Sequence, residues 1–321
     1  MLDQAEFIKN HLDKVICGDA LSSLKNFPPE SVDCVVTSPP YYSLRDYGVK
    51  GQIGLENDFN EYLEKLLTIF DEVKRVLKPT GTCWVVLGDT YGRSNSGGNL
   101  FRGNKEKSSS SKNSPSLFRN QSIYRKSLLQ IPARFSIAMI DSGWILRNEI
   151  VWHKPNCQPS SATDRFTVDF EKVFFFVKSR RYYFNQQLEL LRDKERLRRP
   201  IFGSTKKQKY RGYAFSAINH KTFEKSRMRM LKRGLRNKRC VWTIGTASFA
   251  GQHFAVYPSK LIEMPIKAGC PKDGIVLDPF IGSGTTALVA QKLNRNFIGI
   301  EINSRYVRLA KQRLKRESSR F

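Results

Sequence analysis

Short apolar runs alternate along the chain with longer stretches in which apolar residues recur at helical spacing. Val15–Cys17 predicts a strand that stops at Gly18-Asp19, and Val32–Thr37 (VDCVVT) a β-branched strand that stops at Ser38-Pro39-Pro40. From Glu61 to Leu77 the apolar positions Tyr62, Leu63, Leu66, Leu67, Phe70, Val73, Val76 and Leu77 predict a helix, closed by Pro79-Thr80-Gly81. Further strands are expected at Cys83–Leu87, Leu146–Trp152, Val173–Lys178, Ile275–Leu277 and Phe297–Ile300. Further helices are expected at Pro132–Ser142, Lys260–Ala268, Thr285–Leu293 and Ser304–Arg316. Short continuous apolar runs suit strands covered on both faces. Their alternation with helices predicts an α/β fold around a mainly parallel sheet. Residues 91–120, rich in Ser, Gly, Asn and Lys, read as a long mobile loop, and the basic tail Lys311–Arg320 as a frayed end.

Charge adds a partner to this picture. The 321 residues carry 55 Lys+Arg against 29 Asp+Glu, a net charge of +26. Eighteen of those cations and only three acids fall between Leu191 and Cys240. Clustering of this kind favours a surface that tracks phosphates over general solubility. The six cysteines form no CxxC pair, so neither a zinc site nor another metal site is expected. The first fifteen residues include Asp3, Glu6, Lys9 and Asp13 and lack the apolar core of a signal peptide. No apolar run approaches the roughly 20 residues that span a bilayer. A reducing, cytoplasmic compartment fits these features.

Two constellations carry chemistry. Gly274–Thr286 (GIVLDPFIGSGTT) reads as a strand, a glycine-rich turn and a helix start, where free N–H groups favour an anion. The next strand ends at Glu301, 19 residues after Gly282, a spacing at which an acid commonly binds a ribose hydroxyl. No Lys precedes Thr285, so the turn is not a P-loop, and Ala287 stands where the dinucleotide fingerprint has its third glycine. The second constellation is Thr37-Ser38-Pro39-Pro40-Tyr41, placed directly after a buried strand.

Together, Ser38–Tyr41 and Asp278–Thr286 resemble the amino-methylating DNA methyltransferases, and their order is that of the circularly permuted β class. The resemblance continues through Tyr47–Glu56, Arg75–Pro79, Glu149–Asn156, Asp164–Lys178 and His253–Pro279. It implies a Rossmann-like, S-adenosylmethionine-dependent methyltransferase fold with a mixed, mainly parallel seven-stranded sheet containing one antiparallel strand. Residues 1–190 would form the catalytic part, 191–240 an inserted basic target-recognition region, and 241–321 the cofactor-binding part.

The chemistry fits the motif. An exocyclic base amine is a poor nucleophile because its lone pair is delocalised into the ring. Acceptors that take its protons favour a pyramidal, reactive nitrogen. Ser38 and the Pro39 carbonyl are expected to be those acceptors, in a geometry preset by Pro39 and Pro40, with Tyr41 stacked on the extruded base. By resemblance, Asp278, Phe280, Gly282 and Gly284 hold the methionine moiety, and Pro279, Ser283 and Thr285 complete that cofactor-binding run. Glu301 binds the ribose, Asp19 lies near the adenine, and Phe254 and Pro258 belong to another cofactor-contacting stretch. Family members with Ser before Pro-Pro-Tyr mostly methylate cytosine N4, whereas adenine N6 enzymes usually carry Asp or Asn there. Methylation at cytosine C5 needs a cysteine nucleophile, and the motif has none. Lys206, Lys207, Lys209 and Arg211, mixed with Tyr210, Tyr213 and Phe215, are the expected contacts to double-stranded DNA. Asp164-Arg165-Phe166 would line the substrate cleft, and His153 and His253 are read as structural. A monomer or homodimer in a prokaryotic cell, with a cognate restriction endonuclease as companion, is the family's common setting. The alternatives are an adenine-N6 enzyme, an RNA or protein methyltransferase, and a non-catalytic nucleic-acid-binding protein.

Overall fold

The computed structural model describes residues 4–92, 124–191, 220–246 and 257–318. It separates into two compact units, Met1–Asn185 with Cys240–Phe321, and Gln186–Arg239.

In chain order the elements of the larger unit are α1 (Gln4–His11), β1 (Lys14–Cys17), α2 (Ala20–Leu24), β2 (Val32–Thr37), α3 (Phe59–Val76), β3 (Leu77–Leu87), α4 (Ile131–Asp141), β4 (Ile145–His153) and β5 (Phe170–Val177). The smaller unit contributes β6 (Leu188–Leu190), α5 (His220–Arg233) and β7 (Leu235–Asn237). The larger unit resumes with β8 (Val241–Thr243), α6 (Ser259–Gly269), β9 (Ile275–Asp278), α7 (Thr285–Lys292), β10 (Asn296–Glu301) and α8 (Ser304–Ser318).

Among the described residues eight strands form one sheet in the order β1-β10-β9-β2-β3-β5-β4-β8. Among these strands all pairings are parallel except the two made by β5, so of the described strands of the sheet β5 alone runs backwards. One antiparallel strand was expected, but seven strands rather than eight. The additional strand is β8, whose three residues pair with Val151–His153 at the sheet edge and are too few to register in the sequence pattern.

Both faces of the sheet are covered, as the continuous apolar runs require. Val35, Cys83, Val85, Leu87, Phe174 and Phe176 join one core with α3 and α4 residues such as Leu66, Phe70, Phe135 and Met139. Cys34, Val36, Trp84, Val86, Val173 and Phe175 point the other way, into a second core with Ile262, Ile266, Val289 and Ala310. This is the period-two alternation of a strand serving two buried faces. Trp84 and Phe175 stack with centroids 4.0 Å apart. The α3 stripe is buried along its length, and Asp58, unmarked in the periodicity, caps its start by accepting from the Asn60 N–H at 2.6 Å.

Two boundaries depart from expectation. Pro79-Thr80-Gly81 does not separate helix from strand, because β3 begins at Leu77. The break survives as a register shift, with Leu77 opposite Val32 and Thr82 already opposite Cys34. The basic tail does not fray at Lys311. Its helix continues to Ser318, anchored by buried Val307 and Ala310.

Candidate active site

Parallel strands end on a common side of a sheet, and here the four neighbours β1, β10, β9 and β2 end in the residues that the sequence singled out. Asp19 follows β1, Glu301 closes β10, Asp278 closes β9, and Ser38 follows β2. The two constellations, more than two hundred residues apart in sequence, are joined by the Thr37 hydroxyl, which donates to Asp278 Oδ1 at 2.6 Å. Ligands of open α/β sheets bind at this carboxyl edge.

Asp278 is 1% exposed. Its Oδ1 also accepts the Phe280 N–H at 3.0 Å, and its Oδ2 accepts from the Tyr257 hydroxyl at 3.1 Å and from the Thr286 hydroxyl. Four donor groups thus crowd two carboxylate oxygens, and the Tyr257 and Thr286 hydroxyls among them also contact each other, sharing two protons over three contacts. Burial nevertheless pushes its carboxyl above the usual range, against the lowering effect of those hydrogen bonds. So engaged, Asp278 shapes the turn and ties it to β2.

The turn leaves space for a ligand. A Cβ on Gly282 would meet only the Phe280 carbonyl, at 4.0 Å, so its outer side is open. Gly284 has φ +86°, and a Cβ there would press on Ala310 at 3.0 Å, so a side chain is excluded by both conformation and packing. The reverse of the turn is braced by Arg313, which donates to the Ser283 carbonyl and hydroxyl, both at 2.7 Å, and to the Thr285 hydroxyl at 3.4 Å. The Ser283 and Thr285 side chains are therefore engaged from behind. Pro279 and Pro258 are buried; Pro258 immediately precedes α6, and Phe280 is half-buried beside the turn.

Glu301 links the turn to the neighbouring strand. Its Oε2 accepts the Gly282 N–H at 2.9 Å and its Oε1 the Asn303 N–H at 2.7 Å. Burial raises its carboxyl above the usual range while these bonds oppose the shift. Each oxygen retains a lone-pair site, as a ribose diol requires. Tyr47 and Tyr306 meet edge to face 6.1 Å apart nearby, and both feel the Glu301 charge. Asp19 accepts the Ser22 N–H at 2.8 Å and caps α2.

On the catalytic side, the Ser38 hydroxyl donates to the Tyr41 hydroxyl at 3.4 Å, and that hydroxyl donates to Glu171 Oε2 at 2.6 Å. Lys154 pairs with the other Glu171 oxygen. The Pro40 carbonyl accepts from the Tyr62 hydroxyl at 2.8 Å, which locks the Pro-Pro segment onto α3. Thr37, Glu171, Lys154, Tyr257 and Thr286 escaped the sequence reading of catalytic roles. Thr286 meets Asp278 within one segment, whereas the partners of Thr37, Tyr257, Lys154 and Glu171 lie in other segments of the sequence and are brought to them by the fold.

Asp164 pairs with Lys126 at 2.7 Å, Arg165 lies 3.4 Å from the Tyr91 ring centroid, and Phe166 is 95% exposed. His153 contacts the Thr243 hydroxyl at 3.2 Å, bridging β4 to β8. Phe254 and His253, the basic residues Lys206, Lys207, Lys209 and Arg211, and most of 91–120 lie outside the described residues. Within Gln186–Arg239, Glu189 accepts from Arg236 at 2.8 Å and Arg239 at 3.0 Å. Partial burial opposes its ionisation, but the two arginines outweigh it and hold the carboxyl below the usual range. Among the described residues no cluster of His, Cys, Asp and Glu could hold a metal, and no helix is long and apolar enough to cross a membrane.

A doubly wound sheet with an open glycine turn, a strand-end acid beside it and an acceptor-bearing motif on the next strand defines a group-transfer enzyme with an adenosine-type cofactor. Comparison with known proteins narrows this class. A family model for DNA methylases of the N6/N4 type matches residues 32–312. The type II methyltransferase M.SmaI of Serratia marcescens is 38% identical over 94% of this chain and 91% of its own length. M.XycI of Xanthomonas campestris pv. cyanopsidis is 40% identical over 94% of this chain and 87% of its own. Among solved structures, the PvuII DNA methyltransferase (cytosine-N4-specific) aligns over 92% of this chain and 84% of its own, with TM-score 0.59 and 21% identity, a likeness of fold. A putative DNA modification methylase of Thermus thermophilus, complexed with S-adenosyl-L-methionine, aligns over 95% and 93%, with TM-score 0.56 and 23% identity. The chain belongs to the N6/N4 DNA methylase family.

Proposed function

We propose that the protein methylates the N4 amine of cytosine within a specific sequence of duplex DNA, as the modification half of a type II restriction–modification pair. The observation that carries this reading is the Thr37–Asp278 hydrogen bond, which holds the amine-accepting motif after β2 against the cofactor turn after β9.

When bound, S-adenosylmethionine supplies a methyl group activated by a positively charged sulfur. The chain's own residues position the amine. The target base leaves the stack, because its amine cannot reach a buried cofactor from within the duplex. Tyr41 packs against it, and the Ser38 hydroxyl and Pro39 carbonyl accept its N–H groups, freeing the nitrogen lone pair. Most of the acceleration then comes from alignment. On the cofactor side, the backbone around Phe280, Gly282 and Gly284 faces the methionine moiety, Glu301 the ribose hydroxyls and Asp19 the adenine edge. By the family resemblance, Phe254 and Pro258 are further cofactor contacts. Asp278, Pro279, Ser283 and Thr285 support it from within the turn. The basic region, with Lys206, Lys207, Lys209 and Arg211, supplies phosphate contacts.

Cytosine N4 is favoured over adenine N6 by Ser38, where adenine enzymes usually carry an acid or amide. The fold likeness to a cytosine-N4-specific enzyme agrees. Incubation with mixed-sequence duplex DNA and S-adenosylmethionine, digestion to nucleosides and mass spectrometry tests the proposal. N4-methylcytosine is the expected product. N6-methyladenine would overturn the base assignment, and absence of a methylated nucleoside on several DNAs would overturn the activity.

A further inference from the structure

We infer that Glu171 is a positioning residue for methyl transfer: by accepting the Tyr41 hydroxyl proton it sets the direction of a Ser38–Tyr41–Glu171 hydrogen-bond chain, so that Ser38 meets the target amine as an acceptor. The inference rests on the reading of Ser38 as that acceptor.

Glu171 is the second residue of β5, the one reversed strand. Reversal matters, because β5 begins at the edge where its parallel neighbours end and so delivers a side chain from its first turn of pleat to the active-site rim. There Glu171 Oε2 accepts from Tyr41 at 2.6 Å, and Lys154, just past the end of β4, pairs with Oε1. The ring of Tyr41 is held as closely as its hydroxyl. A Cβ on Gly88 would lie 2.6 Å from Tyr41 Cε2 and 3.5 Å from the Glu171 carboxyl carbon, so ring and carboxylate meet over a residue with no side chain.

Proton counting gives the consequence. An ionised carboxylate accepts only. Tyr41 has one hydroxyl proton, and burial, then the Glu171 charge, push its pKa well above the ordinary value, so the proton stays on the phenol. Once that proton points to Glu171, the Tyr41 oxygen offers Ser38 only lone pairs. The single Ser38 proton then points to Tyr41, over 3.4 Å. What Ser38 presents to the site is its lone pairs, the feature that an amine N–H needs. A glutamine at position 171 carries an amide that can donate to Tyr41. The chain can then reverse and Ser38 present a proton to the amine.

The test is a kinetic cycle on DNA that the wild-type protein methylates, with Glu171→Gln, Glu171→Asp, Tyr41→Phe, the Glu171→Gln/Tyr41→Phe pair and Ser38→Ala. Single-turnover rates are measured at saturating S-adenosylmethionine and DNA, alongside cofactor Kd and DNA KM. Glu171→Gln should slow transfer at least about tenfold, with cofactor Kd and DNA KM within about twofold of wild type, a split that loss of folding does not produce. Glu171→Asp, which keeps the charge, should recover part of the rate. The double variant should be no slower than Tyr41→Phe alone, since both substitutions break one chain. Wild-type rates in Glu171→Gln, or losses that multiply in the double variant, would overturn the inference. If Ser38→Ala is slow while Glu171→Gln is fast, this inference alone falls. If Ser38→Ala is fast, the amine-acceptor reading falls and takes the inference with it.

Discussion

At the carboxyl edge of the large sheet, the acids Asp278, Glu301 and Glu171 sit among hydroxyls, backbone N–H groups and a single lysine, whereas within Gln186–Arg239 the acid Glu189 faces Arg236, Lys238 and Arg239. Neutral donors fix geometry without adding charge, which suits the positioning of an uncharged amine against a cofactor. Cations in excess attract phosphates and leave geometry to the nucleic acid. Carboxylates thus serve opposite ends in the two places, anchoring neutral donors at the sheet edge and countering cations within Gln186–Arg239; under the proposed function the first goes with the chemistry and the second with DNA contact.

The comparison can be broken from either side. Replacing Tyr41 with Ala removes both the stacking surface and the link to Glu171, and should slow transfer about 100-fold, the upper end of what one base–aromatic stack contributes. Equal loss in cofactor affinity, read by titration, would instead place Tyr41 on the cofactor side.

Asp278→Asn puts an amide donor among four donors, and should cost about 1–3 kcal/mol of stability, read from urea midpoints. The pH dependence sharpens this. Burial raises Asp278, so the folded state binds that proton more tightly than the unfolded chain, and stability should fall as pH rises from the ordinary carboxylate range, about 4, through the raised folded value. Glu301 acts in the same sense. Glu189 acts in the other: its stabilisation is present above its unfolded pKa and is lost as pH falls through its lowered folded value. Asp278→Asn should flatten the first dependence and Glu189→Gln the second; identical pH profiles in both variants would erase the contrast.

Charge reversal at Lys206, Lys207, Lys209 and Arg211 should weaken DNA binding about tenfold or more and reduce the slope of log affinity against log salt by up to about 0.9 per lost phosphate contact. An unchanged slope would remove these residues from the interface. The smallest effect is expected at His153, whose contact with Thr243 lies in the sheet. His153→Asn should keep the transfer rate within about twofold, since no proton transfer passes through it. A loss of about 100-fold would make it a general base.

Much of the sheet was legible because its strands are continuous apolar runs ending in Gly-Asp, Ser-Pro or Asp-Pro, and α3 because its stripe spans five turns. Short elements such as α2, β6, β7 and β8 were not, since they carry no period and, unlike the four-residue β1 and β9, do not run into a Gly-Asp or Asp-Pro stop. Candidate site residues were legible where they lie within one segment, as at Ser38–Tyr41 and Asp278–Thr285. They were illegible where they depend on sheet order. Nothing local marks Glu171 in DFEKVFFF as the partner of Tyr41, or Tyr257 and Thr37 as donors to Asp278. Asp278 itself drew attention as a ligand-side residue, while its burial shows it bound up inside the turn.

The most direct test of one site divided between adjacent strands is a crossed measurement of Ser38→Ala and Glu301→Gln, with cofactor Kd by calorimetry and transfer rate by single turnover at saturating cofactor. Ser38→Ala should lower the rate about 100-fold or more and leave Kd within about twofold. Glu301→Gln should raise Kd about tenfold and leave the saturated rate within about twofold. Both variants moving the same constant would contradict the division of labour between β2 and β10.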